Sequence, residues 1–279
     1  MRYCFSGHDS FYSKALWLKK GYDFLFENYT FSSPDSVIEL GVGKNMVNAI
    51  RYWLKSFGLT SNDTLTAIAN YLFHPQNGKD KYAEDLTTLW LLHYLLISTN
   101  IASLYNLLFL SFQREKREFD KEQLLLFIKR KCDVPEQKNV FNENTVNKDI
   151  RVMLQNYVMP QDLKSLEDFS ALLINLNLIK INEDKKYSFN FKNKDEVPEV
   201  VVLYALLDLK GDDKTISFNT LLDLSLLFCM TITEFIGIIK KIEEDFSDLI
   251  SYNDNSGVRN VQFLKDVDKF EILNSYYLE

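Results

Sequence analysis

Cysteine, histidine, proline and glycine are all scarce in this chain of 279 residues, which holds 3, 3, 5 and 9 of them. Cys4, Cys132 and Cys229 are odd in number and far apart, with no pair at metal-ligand spacing. That excludes a disulfide framework and a sequence-local zinc site, and it leads us to expect reduced, mostly buried thiols in a cytoplasmic protein. Few chain breakers over this length weigh against a turn-rich β-sandwich and favour helices. The N-terminal stretch MRYCFSGHDSF lacks the apolar core of a signal peptide. Only one long apolar run exists, Leu89 to Phe112, and it is interrupted by His93, by Ser98-Thr99-Asn100 and by Asn106. Two buried helices joined at that break explain it better than a membrane span.

What is present is ordinary globular material, 46% hydrophobic and 25% charged, with 21 Phe and 15 Tyr to fill cores. The length fits two or three compact units. A formal net charge of −7 counts against a DNA binder unless the basic residues gather on particular faces.

Such faces are legible. In SPDSVIELGVGKNMVNAIRYWLKSFGLT, Ser33 is placed to cap a short helix with Pro34 at its first position, and Gly41-Val42-Gly43 stops it. A second helix is expected from about Lys44 to Phe57, burying Val47, Ile50, Leu54 and Phe57. This is the pattern of a helix-turn-helix. Its outer face carries Lys44, Asn45, Asn48, Arg51 and Lys55 with no acid among them, a set suited to base edges and phosphates.

From Phe119 a second module follows: Asp120 capping KEQLLLFIKRK, then the helix NENTVNKDIRVMLQNYV. Val146, Ile150, Met153 or Leu154, and Tyr157 face inward there, and Asn147, Lys148, Arg151 and Gln155 outward. NLIKINEDKKYSFNF then reads as two strands around a charged turn, a β-wing. From Val197 three helices and a hairpin turning at Asn255-Ser256-Gly257 repeat the outline, with Thr231 and Glu234 as a capping box. Glu234, Glu243, Glu244 and Asp245 on that third helix favour packing or protein contact over DNA.

Enzymatic motifs fail on inspection. GVGKN has Ile38 where a phosphate loop needs its first glycine, and Asn45 where it needs Ser or Thr. His8, Asp9 and Ser10 are adjacent, so they cannot line up as base, orienter and nucleophile; they are read as fixing a tight N-terminal turn. His74 and His93 sit among apolar residues as core or boundary histidines. No catalytic residue, metal site or cofactor is expected from these spacings.

The blocks FSGHDSFYSKALWLKKGYDFL, LGVGKNMVNAIRYWLKSFGL and EDLTTLWLLHYLL, with the later NENTVNKDIRVMLQNYV and NSGVRNVQF, closely resemble the bacterial domain-of-unknown-function family 4007 over nearly the whole chain. Asp9-Ser10 stand where that family more often has Glu-Thr, a swap that keeps an acid and a hydroxyl. The resemblance implies a DNA-modification or defence system of the phosphorothioation type, with a PAPS-reductase-like sulfurtransferase as a possible partner. The expectation is therefore a mainly α protein of tandem winged helix-turn-helix modules around a central helical core. Its segments are a helix-turn-helix module at 1–86, buried helices at 87–118 and winged modules at 119–194 and 195–279. It would act as a DNA-binding or scaffolding subunit, non-enzymatic, off the membrane and open to homo-oligomerisation. The alternatives are a protein–protein adapter without DNA contact and an unrecognised nuclease or nucleotide hydrolase.

Overall fold

The computed structural model describes residues 2–160, 170–192, 197–255 and 258–277. They form a mainly helical protein with small antiparallel sheets. Contacts divide it into two compact units, Met1–Asn190 and Phe191–Glu279.

The first unit opens with α1 (Trp17–Phe26), α2 (Ser36–Leu40) and α3 (Lys44–Ser56). The expected Ser33 cap is displaced. Asp35 is the N-cap of α2, and the Ser36 N–H donates to the Ser33 carbonyl at 3.1 Å. Pro34 thus occupies the second position of a β-turn, where its fixed φ is favoured, rather than the first helical position. Gly41 ends α2 in the left-handed region at φ 59°. The stripe Val47, Ile50, Leu54 and Phe57 is buried as expected, with Trp53 beside it. A hairpin of β1 (Thr60–Ser61) and β2 (Thr64–Leu65) follows. Asn62 and Asp63 form its turn at φ 49° and 60°, the double-positive geometry that two-residue hairpins demand. Then comes α4 (Ala67–Phe73).

The long apolar run becomes α5 (Leu86–Thr99), α6 (Ser103–Asn106), a π-helical stretch Leu107–Phe112 and α7 (Gln113–Glu115). Asn100 at φ 52° breaks it, and the two halves bend by 101°. Every residue from Thr87 to Ile97 is buried, so α5 is apolar on all sides because protein surrounds it. Among the described residues no single helix is long and apolar enough to cross a membrane.

Next come β3 (Glu118–Phe119), α8 (Lys121–Cys132), α9 (Glu143–Tyr157), β4 (Ile179–Ile181) and β5 (Tyr187–Phe189), in a sheet of order β3–β5–β4. Asp120 forms a capping box with Gln123, and Asn142 caps α9. Val146, Ile150, Met153, Leu154 and Tyr157 are all buried.

The second unit contains α10 (Glu199–Lys210), β6 (Thr215–Ser217), α11 (Phe218–Leu227), α12 (Ile232–Asp245), β7 (Ile250–Asn255), β8 (Val258–Phe263) and α13 (Lys269–Tyr277). Its sheet order β6–β8–β7 repeats the strand arrangement of β3–β5–β4. The Thr231–Glu234 capping box is present. Ser256 and Gly257 of the expected hairpin turn lie outside the described residues. Strands β3 and β6 and helix α13 were not foreseen.

Candidate nucleic-acid interface

The N-terminal arm has a run of constrained backbone. Ser6, Gly7, Asp9 and Ser10 all have positive φ, at 74°, 115°, 45° and 65°. At Gly7 a Cβ would come within 2.5 Å of the Tyr52 ring, so a glycine is required there on two counts. The Phe11 N–H donates to the His8 carbonyl at 2.8 Å, and the Ser10 N–H donates to His8 Nδ1 at 3.1 Å. These bonds make the tight turn read from the sequence at His8, Asp9 and Ser10.

The structure adds what spacing concealed. His8 Nδ1 accepts, so Nε2 carries the ring proton and donates to Asp149 Oδ1 at 3.0 Å. The other carboxylate oxygen accepts from the Ser6 N–H at 2.7 Å. Both His8 and Asp149 are buried. The imidazole stacks on Trp53 at 5.9 Å, and Trp53 Nε1 donates to the Phe11 carbonyl at 3.1 Å. Further along, the Ser13 N–H donates to Asn156 Oδ1 at 3.0 Å, and Asn156 Nδ2 donates to the Tyr105 hydroxyl at 2.6 Å. The arm is therefore strapped between α3 and α9. Burial, reinforced by the Asp149 charge, pushes the Tyr52 hydroxyl far above the ordinary phenol range. Cys4 on the arm is exposed, unlike the buried Cys132 and Cys229. Partial burial and then Asp149 raise its thiol, against the pull of Lys55. His93 is fully buried with Nδ1 2.8 Å from the Tyr157 hydroxyl. His74 is half-buried, and its Nδ1 accepts from Gln76 N–H at 3.2 Å.

Lys44, Asn45, Asn48, Arg51 and Lys55 are all exposed on α3. The helix itself holds no acid, as its sequence shows, but neighbouring segments bring two carboxylates to this face. Arg51 forms a two-pronged pair with Asp63 of the hairpin turn, Nε to Oδ1 at 2.9 Å and Nη2 to Oδ2 at 2.7 Å. Asn48 Nδ2 donates to Asp9 Oδ2 at 3.0 Å. These residues, with Lys55 and Asn62, line a groove of about 400 Å³.

On α9, Asn147, Lys148, Arg151 and Gln155 are exposed on one face. Among the described residues no carboxylate pairs with Lys148 or Arg151. Lys185 and Lys186 stand exposed at the β4–β5 turn, with Lys186 3.8 Å from Glu118.

The charge is divided unequally. Residues 1–190 hold 23 Lys and Arg against 22 Asp and Glu, whereas residues 191–279 hold 9 against 17. The acidic excess of the whole chain thus belongs to the second unit. Counted from the N-cap, the α12 positions matching Asn147, Lys148, Arg151 and Gln155 are Ile236, Gly237, Lys240 and Glu244. Among the described residues no group of three or more His, Cys, Asp or Glu is placed to hold a metal ion.

The family model described as "Protein of unknown function (DUF4007)" matches residues 5–277. Two crystal structures are similar, one described as SspB and one as magnesium ion-bound SspB. Each superimposes with a TM-score of 0.83 at 24% identity, over 98% of this chain and 87% of the other. At that identity the likeness is one of fold. No functionally curated protein matches the sequence.

Proposed function

Since the chain belongs to the DUF4007 family of proteins of unknown function, we propose a role from its geometry: a DNA-binding or scaffolding subunit whose first unit meets the duplex. The observation that carries this is the α9 face, where Asn147, Lys148, Arg151 and Gln155 stand outward and, among the described residues, no carboxylate pairs with the two cations. We read β3–α8–α9–β4–β5 as a winged helix-turn-helix with α9 as the recognition helix and Lys185 and Lys186 on the wing. Asn147 and Gln155 suit adenine edges, Arg151 suits guanine, and Lys148 suits phosphate. The family resemblance supports service in a phosphorothioation-type modification or defence system, beside a sulfurtransferase-like partner. In this reading the acidic second unit keeps off DNA, which removes the objection raised by the net charge.

A salt titration of duplex binding by the whole chain tests it. Lys44, Lys55, Lys148, Arg151, Lys185 and Lys186 set the ceiling, since each phosphate neutralised contributes about −0.9 to the slope of log affinity against log salt. A slope of roughly −4 to −5 is expected by that rule. Absence of binding even at low salt would leave the adapter as the better account.

One observation favours a second, enzymatic reading: the His8–Asp149 couple lies within hydrogen-bond reach beneath a strained loop. Turnover of DNA or ATP that His8→Ala abolishes would support it.

A further inference from the structure

Helix α12 carries a glycine that its own chain does not explain. Gly237 sits exposed in mid-helix, where glycine is among the least favoured residues. A Cβ there would meet nothing within 4 Å. The buried side of α12 is made by Phe235, Ile239 and Ile242, so Gly237 lies on the face turned away from the core. Around it lie exposed Thr233, Glu234, Lys240, Lys241 and Glu244, with half-exposed Ile236 and Ile238 as flanking ridges.

We propose that this face is a homodimer contact, in which α12 of one copy crosses α12 of a second copy antiparallel about a two-fold axis at Gly237. The argument is charge complementarity combined with register. An antiparallel pair centred on residue 237 sets opposite each other the positions that are symmetric about it. Lys240 then faces the second copy's Glu234, twice over, and Lys241 faces Thr233. The Ile236 ridge meets Ile238. Glu244 reaches the first turn of the second copy's α12, where the helix dipole favours an anion. No like charges stand at positions symmetric about 237, where Glu244 is matched by Met230 just ahead of the helix. Glu234 is already fixed by its capping box, accepting from the Thr231 N–H at 2.8 Å and from Thr231 Oγ1 at 2.7 Å, so little side-chain ordering is lost there. The bare backbone at Gly237 lets the helix axes approach at the short end of the usual 8–10 Å range. A contact of this kind is isologous and self-closing. The excess acid of the second unit opposes association over distance, and physiological salt screens it.

Sedimentation of the full chain at physiological salt, over a wide concentration range, is the test. A wild-type dimer is expected, with Gly237→Leu weakening it by about tenfold or more through overpacking. The melting temperature of the dilute, monomeric variant should not fall, because leucine favours the helix more than glycine does. Lys240→Glu should weaken the dimer as well. In a Cys4→Ser background, Gly237→Cys should cross-link to a second copy under mild oxidation. A wild type that stays monomeric at its highest soluble concentration would overturn the proposal. So would a dimer indifferent to both Gly237→Leu and Lys240→Glu, since another face would then hold it.

Discussion

Replacing Lys148 and Arg151 together by alanine should lower duplex affinity roughly 10- to 100-fold, since a base-reading arginine and a phosphate contact are each worth about 1 kcal/mol or more. The salt slope should flatten by about 1 to 2 at the same time. Stability should hold within about 0.5 kcal/mol, because both side chains are exposed. Arg51→Ala is the internal comparison and should cost less affinity. Arg51 is already committed to Asp63, so DNA gains it only by breaking a two-pronged pair. Conversely, Asp63→Asn should raise affinity by releasing that guanidinium. Fluorescence anisotropy on one duplex measures all three variants. A larger loss from Arg51→Ala than from the α9 double variant would move the interface to α3.

His8→Ala should be the most destabilising single change on the N-terminal arm. Among the described residues it leaves the buried Asp149 carboxylate with the Ser6 N–H as its hydrogen-bond partner, and it removes the ring stacked on Trp53. Truncating one member of a buried hydrogen-bonded pair typically costs about 2–4 kcal/mol. For a unit of this size that is a melting-temperature loss of roughly 5–12 °C. Asp149→Ala should cost a similar amount by orphaning the Ser6 N–H and His8 Nε2. The double variant should lose less than the two losses added, because both disrupt one network. Additive losses in thermal denaturation would mean the two residues act independently.

The local parts of this fold were legible, and the reason is physical. Helices α3, α8, α9 and α12 each carry an apolar stripe at helical period, and Asp120, Asn142 and Thr231 cap the last three, each accepting from the N–H three residues on. The split of the Leu89–Phe112 run was readable because Asn100 tolerates the left-handed conformation that ends α5. Strands β3 and β6 were not readable, since two or three residues carry no alternation and pair with β5 and β8 far along the chain. The same limit hid the chemistry of the arm. His8 and Asp149 are separated by 141 residues, and Asp63 meets Arg51 only because an Asn-Asp turn folds back over α3. The outward faces of α3 and α9 look alike as sequence. What distinguishes them is that, among the described residues, neighbouring carboxylates pair with the α3 face and not with the α9 face.

The central claim is that duplex DNA rests on α9 and its wing while the acidic second unit stays clear. Lysine acetylation of the whole chain, with and without a saturating duplex, tests it residue by residue when read by mass spectrometry. Lys148, Lys185 and Lys186 should lose reactivity on adding DNA, and Lys240 and Lys241 on α12 should not change. Protection of Lys240 and Lys241 with Lys148 left reactive would contradict the account.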